Sequence, residues 1–469
     1  MTTSRRTQTW VLGLAATASF MVVLDLLVVS TALSTIQRDL GASIEQLEWT
    51  VNAYTLTFAV LLMTASAFGD RFGRRRVFAA GLGLFAAASA ACALSPNAGT
   101  LIAARAVQGV GAATIMPLAL AVLNTAFPPE RRGWAMGIYG GVTGLAALLG
   151  PVVGGAITQG ISWQWIFWIN VPIATLAIPL VLARIPESFG PGAGLDFRGL
   201  ALGGVAALGL VWGLVRGNAA GWGSSEVLVA LVGGVAFAAA FVLAELRAHS
   251  PMLPMRLFRS RAFSAGNAAI FFLNASLTGG VFLMAQFLQI GLDHRPLAAG
   301  LGLLPWGIAP FLIGPRAGAL VDRIGERPLI VGGLVLQTIG LAWISLVAGA
   351  HMPYEQLIAP MTVAGVGFSM ALPAVTKAVV GGVAMNDIGK ASGAFSTMRQ
   401  LGGAFGVASL VAVFAAVGSY RSAQAFSDGF GPAIGVAAGL ALAGAVAAWL
   451  LPRRARAGEQ GPAALASVS

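Results

Sequence analysis

The chain contains many uncharged apolar runs of about twenty residues, and these runs constrain its fold more than any other feature. As a helix, such a run is long enough to cross a hydrocarbon core of about 30 Å. Only 10% of the 469 residues are charged, whereas soluble domains carry about 25%. No long polar block separates the runs, so no soluble domain is expected. We predict an all-α membrane protein whose fourteen transmembrane helices lie near residues 10–33, 49–68, 77–95, 100–126, 134–157, 165–183, 199–215, 226–244, 263–290, 298–320, 329–349, 357–376, 392–417 and 432–451.

The positions of the Lys and Arg residues predict the orientation of these spans, because basic residues concentrate in cytoplasmic loops. With the amino terminus inside, Arg38, Arg216, Arg295 and Arg421 fall outside and Arg105 lies within a span, which leaves 23 of the 28 basic residues on the cytoplasmic side. This bias predicts an even number of spans, both termini in the cytoplasm and a multi-pass location in the cytoplasmic (inner) membrane. It also explains the net charge of +11 without a nucleic-acid partner.

A short motif occurs twice. Asp70–Arg75 reads DRFGRR and Asp322–Arg327 reads DRIGER, and each copy follows an apolar span. Eight predicted spans lie between the copies, whereas two consecutive six-helix halves leave six. Repeated halves with a binding site between them are a recurring transporter design. We therefore predict two six-helix bundles with two inserted central helices, divided as 1–190, 191–250 and 251–469, the last with a short basic tail.

Two charged residues lie well inside predicted spans. Asp25 is interpreted as the only one of the seventeen acidic residues deep in a span, where a carboxylate must face a cavity or a partner. Burial favours its neutral form and makes it a candidate proton site. Arg105 is interpreted as the only basic residue clearly inside a span, on a helix face with Gln108 and Gly109. Their similar depth predicts coupling, directly or through water. The alternatives are a structural polar contact for Asp25 and a clamp on backbone carbonyls for Arg105.

Two further patterns predict close packing and gating. The fifth span carries small residues at spacings of three and four, which allow another helix to approach closely, and Gly150-Pro151 adds a kink because proline lacks the N–H group of the helix ladder. Plain helix packing is the alternative. The loop after the second span is either a simple basic loop or a gating contact, and Asp70 favours the second. The predicted gating residues, including the second copy, are Asp70, Arg71, Gly73, Arg74, Asp322, Arg323 and Gly325.

Other chemistry finds little support in the sequence. The single cysteine, Cys92, lies in an apolar run without neighbouring metal ligands. We recognise no zinc-protease, hydrolase or nucleotide-binding motif. No cofactor and no metal are therefore predicted, and an ion gradient is the expected source of energy.

Five segments, in the expected order, resemble motifs of the major facilitator superfamily, specifically of its fourteen-helix drug/proton antiporter group. They are Leu24–Leu33, Ser66–Arg76, Leu101–Gly111, Gly150–Gly155 and Trp163–Pro172. The resemblance covers nearly the whole chain. It implies a role for Arg105 in proton coupling, and it implies an antiporter motif in the fifth span formed by Gly144, Gly150, Pro151, Gly154 and Gly155.

The resemblance also implies a central cavity that opens alternately to each side of the membrane. We expect a proton-coupled antiporter, working as a monomer in the lipid, that exports small lipophilic compounds such as drugs, dyes or a secondary metabolite, with cations among the candidates. A proton symporter that imports a solute is the alternative. An integral membrane enzyme is a third hypothesis, but the sequence contains no cluster of catalytic polar residues that would support it. The candidate substrate-binding residues are Asp25, Asn52, Tyr54, Gln286, Gln289 and Trp306.

Overall fold

The structure is a computed structural model that describes residues 4–190, 196–248, 251, 253–381, 383 and 388–452, and throughout these ranges the chain forms helices and turns without strands. This confirms the predicted all-α fold. In chain order the helices are α1 Arg5–Leu40, α2 Ile44–Phe72, α3 Arg74–Ala93, α4 Ala98–Ala126, α5 Pro129–Gly160, α6 Trp165–Trp168, α7 Asn170–Arg184, α8 Phe197–Ala220, α9 Ser225–Arg247, the 3-10 helix Met255–Arg259, α10 Arg261–Ile290, α11 Pro296–Gly302, α12 Leu304–Gly307, α13 Ala309–Ile324, α14 Glu326–Val347, α15 Glu355–Val380, α16 Ile388–Val417 and α17 Ala423–Trp449.

Within the described ranges, thirteen spans are long and apolar enough to cross a membrane, and the count reaches fourteen when α2 is taken as one bent span. The axis of α2 bends by 51° between Leu62 and Thr64. Helices α6 and α7 share one span, and α11, α12 and the start of α13 share another. Pro305 and Pro310 fall in the second of these spans, where the missing N–H groups interrupt the helical ladder.

Several helices extend beyond the apolar runs that predict them, because polar caps stabilise their ends. The run at 10–33 becomes the 36-residue helix α1, whose first turn is capped by the Ser4 side chain and whose last turn ends at Gly41 in the left-handed conformation. In α2 the side chains of Ser43 and Gln46 form a reciprocal capping box. Both devices satisfy N–H or C=O groups that a helix end leaves free.

The helices have two ends, which define two faces of the protein. The terminal face holds the start of α1 and the end of α17, and the opposite face holds the α1–α2 turn. We call α1–α7 the amino-terminal half and α10–α17 the carboxy-terminal half. Toward the opposite face, apolar residues of both halves form one continuous core. Toward the terminal face, each half has a core of its own. The halves are therefore joined at the opposite face.

The hairpin α8–α9 packs through α8 against α2 and α16. Leu56 of α2, Val211 of α8 and Ala404 of α16 belong to one apolar cluster. Near the opposite face, Arg216 Nη1 of α8 lies 3.0 Å from Glu45 Oε2 of α2. The inserted pair thus lies alongside the seam where α2 of one half meets α16 of the other.

The structure corrects the census of basic residues. Arg316 lies within α13 and Arg399 lies within α16, although both were counted among the cytoplasmic residues. Arg105 is therefore one of several arginines inside helices. The error arose because the count excluded only Arg105 and the four residues placed on the outer side. It treated every other basic residue as part of a cytoplasmic loop.

Candidate functional site

Asp25 lies at the centre of a buried polar cluster in the amino-terminal half. Its Oδ2 atom accepts a 2.5 Å hydrogen bond from Arg105 Nη1. Its Oδ1 atom accepts from Gln108 Nε2 at 2.8 Å and from Asn170 Nδ2 at 2.7 Å. Three donors from two other helices thus point at one carboxyl group and satisfy both of its oxygen atoms.

Arg105 is held on several sides. Its Nε atom donates to the backbone oxygen of Thr50 at 3.1 Å, and Nη1 also donates to Gln108 Oε1 at 2.7 Å. The guanidinium carbon lies 4.1 Å from the centroid of the Tyr54 ring and 5.7 Å from that of Phe167, so cation–π attraction adds to the hydrogen bonds. Arg105 therefore contacts Asp25 directly, as well as clamping a backbone carbonyl.

The cluster is sealed from solvent and confined to one half. The side chains of Asp25 and Arg105 have 0% exposure, and their partners come from α2, α4 and α7 of the same half. Ser89 of α3 extends the network by accepting from Gln108 Nε2 at 2.8 Å. In this conformation neither charged side chain of the pair is accessible from solvent.

Sequence reasoning missed two members of this network. Asn170 and Ser89 are polar residues within apolar runs and have 0% exposure. Asn170 falls in the Trp163–Pro172 segment, which resembles a family motif. A polar residue in that otherwise apolar segment was the signal that could have identified it. Tyr54, predicted to line the cavity, instead lies against Arg105 with 0% exposure.

Besides the seam between α2 and α16, helices α1, α5, α10 and α11 make contact between the halves at the opposite face. Gln289 Nε2 of α10 donates to the Thr31 backbone oxygen of α1 at 3.0 Å, and its Oε1 atom accepts from the Ser34 hydroxyl. The Leu297 backbone N–H of α11 donates to Gln159 Oε1 of α5 at 3.2 Å. Gln289, predicted to bind substrate, therefore bridges the halves in this conformation.

The small residues of α5 contact two different helices. A Cβ added at Gly150 would lie 2.8 Å from Leu27 Cβ, and one added at Gly154 would lie 2.5 Å from the Val28 oxygen, both on α1. A Cβ added at Gly155 would lie 2.8 Å from Leu297 Cα of the other half.

Reciprocally, Gly300 of α11 packs against the backbone of Pro151 and Val152. Gly144, farther toward the terminal face, is partly exposed. The predicted close approach is thus present, both within the half and between the halves.

The loop at the end of α2 is fixed to the segment that follows α7. Asp70 Oδ1 accepts from Arg74 Nε and lies equally close, at 2.8 Å, to Arg74 Nη2. The Asp70 backbone oxygen accepts from the Gly190 N–H at 3.1 Å. Gly73 joins α2 to α3 with a φ of +103°, a region that favours glycine. Arg71 stacks its guanidinium on the Phe72 ring at 5.5 Å.

The second copy of this loop has the same backbone device. Gly325 joins α13 to α14 with a φ of +88°, as Gly73 does in the first copy, and Arg323 is exposed. The side chain of Asp322 lies outside the described part of the structure. The gating roles of both loops stay predictions.

A second buried carboxyl group corrects the interpretation of Asp25 as the only deep acidic residue. Glu48, in the second turn of α2, has 3% exposure, and its Oε1 atom has no hydrogen-bond partner among the described residues. Asn52, one turn further, has 0% exposure, and both of its amide atoms lack such a partner. Sequence reasoning overlooked Glu48 because it immediately precedes the predicted span 49–68.

The two remaining substrate candidates, Gln286 and Trp306, lie in the carboxy-terminal half. The Tyr420 hydroxyl donates to Gln286 Oε1, and Tyr420 is close enough to Glu48 for electrostatic interaction. Trp306 is 4% exposed and packs against Gly280 and Gly365. These contacts place the predicted substrate residues inside helix packing, and their roles in binding stay predictions.

Comparisons with known proteins agree with this architecture. Residues 15–407 match the family model of the Major Facilitator Superfamily. The chain is 35% identical to the tetracenomycin C resistance and export protein of Streptomyces glaucescens over 404 residues, which cover 84% of this chain and 74% of the relative. It is 35% identical to a puromycin resistance protein of Streptomyces alboniger over 460 residues, which cover 94% of this chain and 91% of the relative.

The fold is also similar to solved transporter structures. A bacterial homologue of the human lysosomal transporter Spinster superposes with a TM-score of 0.69 at 14% identity, over 96% of this chain and 97% of that chain. The helical fold, the repeated loop with its glycine joints and the match over most of the chain lead to one conclusion. This multi-pass membrane protein belongs to the Major Facilitator Superfamily, a family of transporters and not of enzymes.

Proposed function

We propose that this chain is a proton-coupled antiporter that exports small lipophilic compounds across the cytoplasmic membrane by alternating access. The observation that carries the proposal is the sealed Asp25–Arg105 pair on α1 and α4. Helix α1 holds both the carboxyl group of this pair and the Thr31 backbone that contacts the other half. A change of charge at Asp25 therefore acts on a helix that also forms the contact between the halves.

The conformation supports the transport cycle that we propose. With both termini in the cytoplasm, the joined opposite face is the outer face and the separate cores belong to the cytoplasmic side. A compound then enters the space between the halves from the cytoplasm. Protonation of Asp25 removes its charge and weakens its attraction to Arg105, which frees α1 and α4 to shift relative to each other.

The glycines of α5 transmit such a shift. Gly150 and Gly154 pack on α1, while Gly155 packs on α11 of the other half. Because backbones in direct contact leave no room for independent sliding, movement of α1 displaces α5 against α11. The names of the relatives favour export over import: one is a resistance and export protein and another a resistance protein.

The test uses the purified chain in proteoliposomes with an imposed pH gradient, and it uses puromycin and tetracenomycin C as first probes because the relatives are named for them. Accumulation of a probe against its gradient, coupled to proton movement in the opposite direction, is the expected result. Proton and probe movement in the same direction would indicate the symporter instead. A rate of probe transport that does not change with the pH gradient would overturn the proposal of proton coupling.

A further inference from the structure

Arg399 carries a charge that nothing in the described part of the chain neutralises. It lies in α16, which begins at Ile388, so it sits about 16 Å along the helix at a rise of 1.5 Å per residue. Its Nε atom is fully covered and lacks a hydrogen-bond partner, and no described acidic side chain forms an ion pair with it. The residue as a whole is partly exposed, so the rest of the side chain has accessible surface.

Arg399 lies where α16 runs beside the amino-terminal half, since the hydroxyl of Thr397, two residues earlier, donates to the Ala59 backbone oxygen of α2 at 3.3 Å. Tyr139 of α5 is close enough for electrostatic interaction with Arg399, and the Tyr139 hydroxyl is hydrogen-bonded to Ser19 of α1 at 2.7 Å. Arg399 of one half and Tyr139 of the other are therefore near enough to interact electrostatically across the boundary between the halves. This is the level at which the two halves have separate apolar cores, Tyr139 belonging to the core of its own half.

The described acidic side chains of the surrounding helices are either paired with another arginine or distant from Arg399. Asp25 is paired with Arg105, and Asp70 is paired with Arg74. Glu48 lies near the opposite face, beside Tyr420. Among the described residues, the charge of Arg399 at the boundary between the halves is therefore not balanced by an acidic side chain. Charged residues at such depth are costly and typically mark a substrate path or pair with a partner.

We propose that Arg399 binds an anionic group, such as a carboxylate or phenolate, on the lipophilic compound that this protein transports. A guanidinium binds a carboxylate with two parallel hydrogen bonds, and such charge-assisted bonds are stronger than neutral ones. The Tyr139 hydroxyl adds a polar group at the same level. This inference rests on the proposed export function and narrows its substrates from lipophilic compounds in general to anionic ones.

The charge of the substrate also sets the charge moved per cycle. Exchange of one inward proton for one outward monovalent anion moves two charges, whereas exchange for a neutral compound moves one and for a monovalent cation none. Transport of the anion therefore responds to membrane potential as well as to the pH gradient.

The experiment compares two dyes of one chemical family, anionic fluorescein and cationic rhodamine 6G, with the full chain in proteoliposomes. Wild-type protein is expected to transport fluorescein and to accelerate when an inside-negative potential is imposed in the physiological orientation. Arg399→Gln should raise the KM for fluorescein by about tenfold or more, the range expected for loss of a charged hydrogen bond. Arg399→Lys should raise this KM by a smaller factor, because it keeps the positive charge. Arg399→Glu should transport rhodamine 6G in preference to fluorescein.

Arg316→Gln is the matched control, because Arg316 is exposed and donates only to the Leu312 oxygen of its own helix among the described residues. Gel filtration in detergent checks that each variant remains folded. An unchanged KM for fluorescein in Arg399→Gln would overturn the inference, as would transport of rhodamine 6G in preference to fluorescein by wild-type protein. In both cases the proposed export function would survive. Failure of every probe to exchange for protons would overturn that function as well.

Discussion

Arg105 Nη1 lies 2.5 Å from Asp25 Oδ2, and neither side chain has any exposed surface. Burial of two charges costs several kcal/mol per ion, which their attraction offsets only when further hydrogen bonds complete the site. Gln108 and Asn170 supply those bonds to Asp25, and the Tyr54 ring covers Arg105, whose Nη2 atom has no hydrogen-bond partner among the described residues. A proton that reaches Asp25 must therefore arrive together with a rearrangement that admits water among these helices.

Replacement of Asp25 tests the coupling site. Asp25→Asn keeps most of the shape of the site but leaves the Arg105 charge unpaired, and loss of one partner of a buried pair costs about 3–5 kcal/mol. We expect proton-driven accumulation to be abolished while insertion in the membrane and downhill exchange persist. Proteoliposomes with an imposed pH gradient measure both activities.

Asp39→Asn is the matched control for this prediction, because Asp39 is an exposed acidic residue on the same helix. It should transport like the wild type. If Asp25→Asn accumulates a probe at the wild-type rate, Asp25 is not the coupling residue.

The burial of Glu48 without a hydrogen-bond partner for its Oε1 atom leads us to predict that protons influence the closure of the opposite face. A buried carboxylate without a partner is strongly disfavoured, so closure over Glu48 and Tyr420 is easier when Glu48 is neutral. Wild-type protein should close more completely as the medium on that face is acidified. Glu48→Gln should remain closed at all pH values, as measured by maleimide labelling of Ile157→Cys from that face.

The control for this prediction is Glu226→Gln at the start of α9, near the same face, where the carboxylate already has Arg216 as a partner. That variant should retain the wild-type pH response. Background labelling is low because Cys92 is buried. Equal pH responses in Glu48→Gln and wild type would remove Glu48 from the mechanism.

Asp70 tests the loop at the terminal face. Its ion pair with Arg74 is partly exposed, and such pairs contribute about 0.2–1 kcal/mol. Asp70→Asn should therefore lower turnover by up to about fivefold, with little change in substrate binding, because one conformation loses a contact. Transport rates and equilibrium binding, measured side by side with the exposed-site control Asp428→Asn, separate the two effects. A loss of binding that equals the loss of transport would argue against a gating role.

The sequence predicted the all-α fold because each span is decided by a local property, the length of its apolar run. Asp25 and Arg105 were found for a related reason, since a charge inside such a run stands out. The direct contact between Asp25 and Arg105 could not be predicted from the sequence, because it depends on how α1 and α4 pack. Glu48 was missed because helix α2 extends beyond its apolar run, and a capping box at Ser43 fixes that extension.

The orientation of individual side chains was the least predictable feature. Tyr54 and Gln289 were expected to line a cavity, but one lies on Arg105 and the other bridges the halves. Both are polar or aromatic residues in apolar spans, and that pattern does not distinguish a cavity from a helix contact. Arg399 was overlooked because the census of charges placed it outside a span. The sequence predicted that the glycines of α5 pack closely against another helix. It did not show that some of them contact α1 and others contact α11.

The inserted hairpin makes a direct prediction about topology. We expect α8 and α9 each to cross the membrane, so the start of α8 and the end of α9 should lie on one face and the turn at Gly221 between them on the other. Reporter fusions after Asp196 and after Ala248 should both give cytoplasmic signals, and a fusion near Gly221 should give an external one. An external signal after Ala248 would contradict the two crossings.

The contact of Gly155 with α11 predicts how the opposite face can be opened by mutation. A Cβ at this position would lie 2.8 Å from Leu297 Cα, closer than such atoms approach, so Gly155→Val must push α5 and α11 apart. We expect faster maleimide labelling of Ile157→Cys from the opposite face and slower transport, because the closed state is destabilised. Gly140→Val on the same helix is the control, since an added Cβ there has no neighbour within 4 Å. Equal labelling rates in the two variants would show that this helix contact does not hold the opposite face closed.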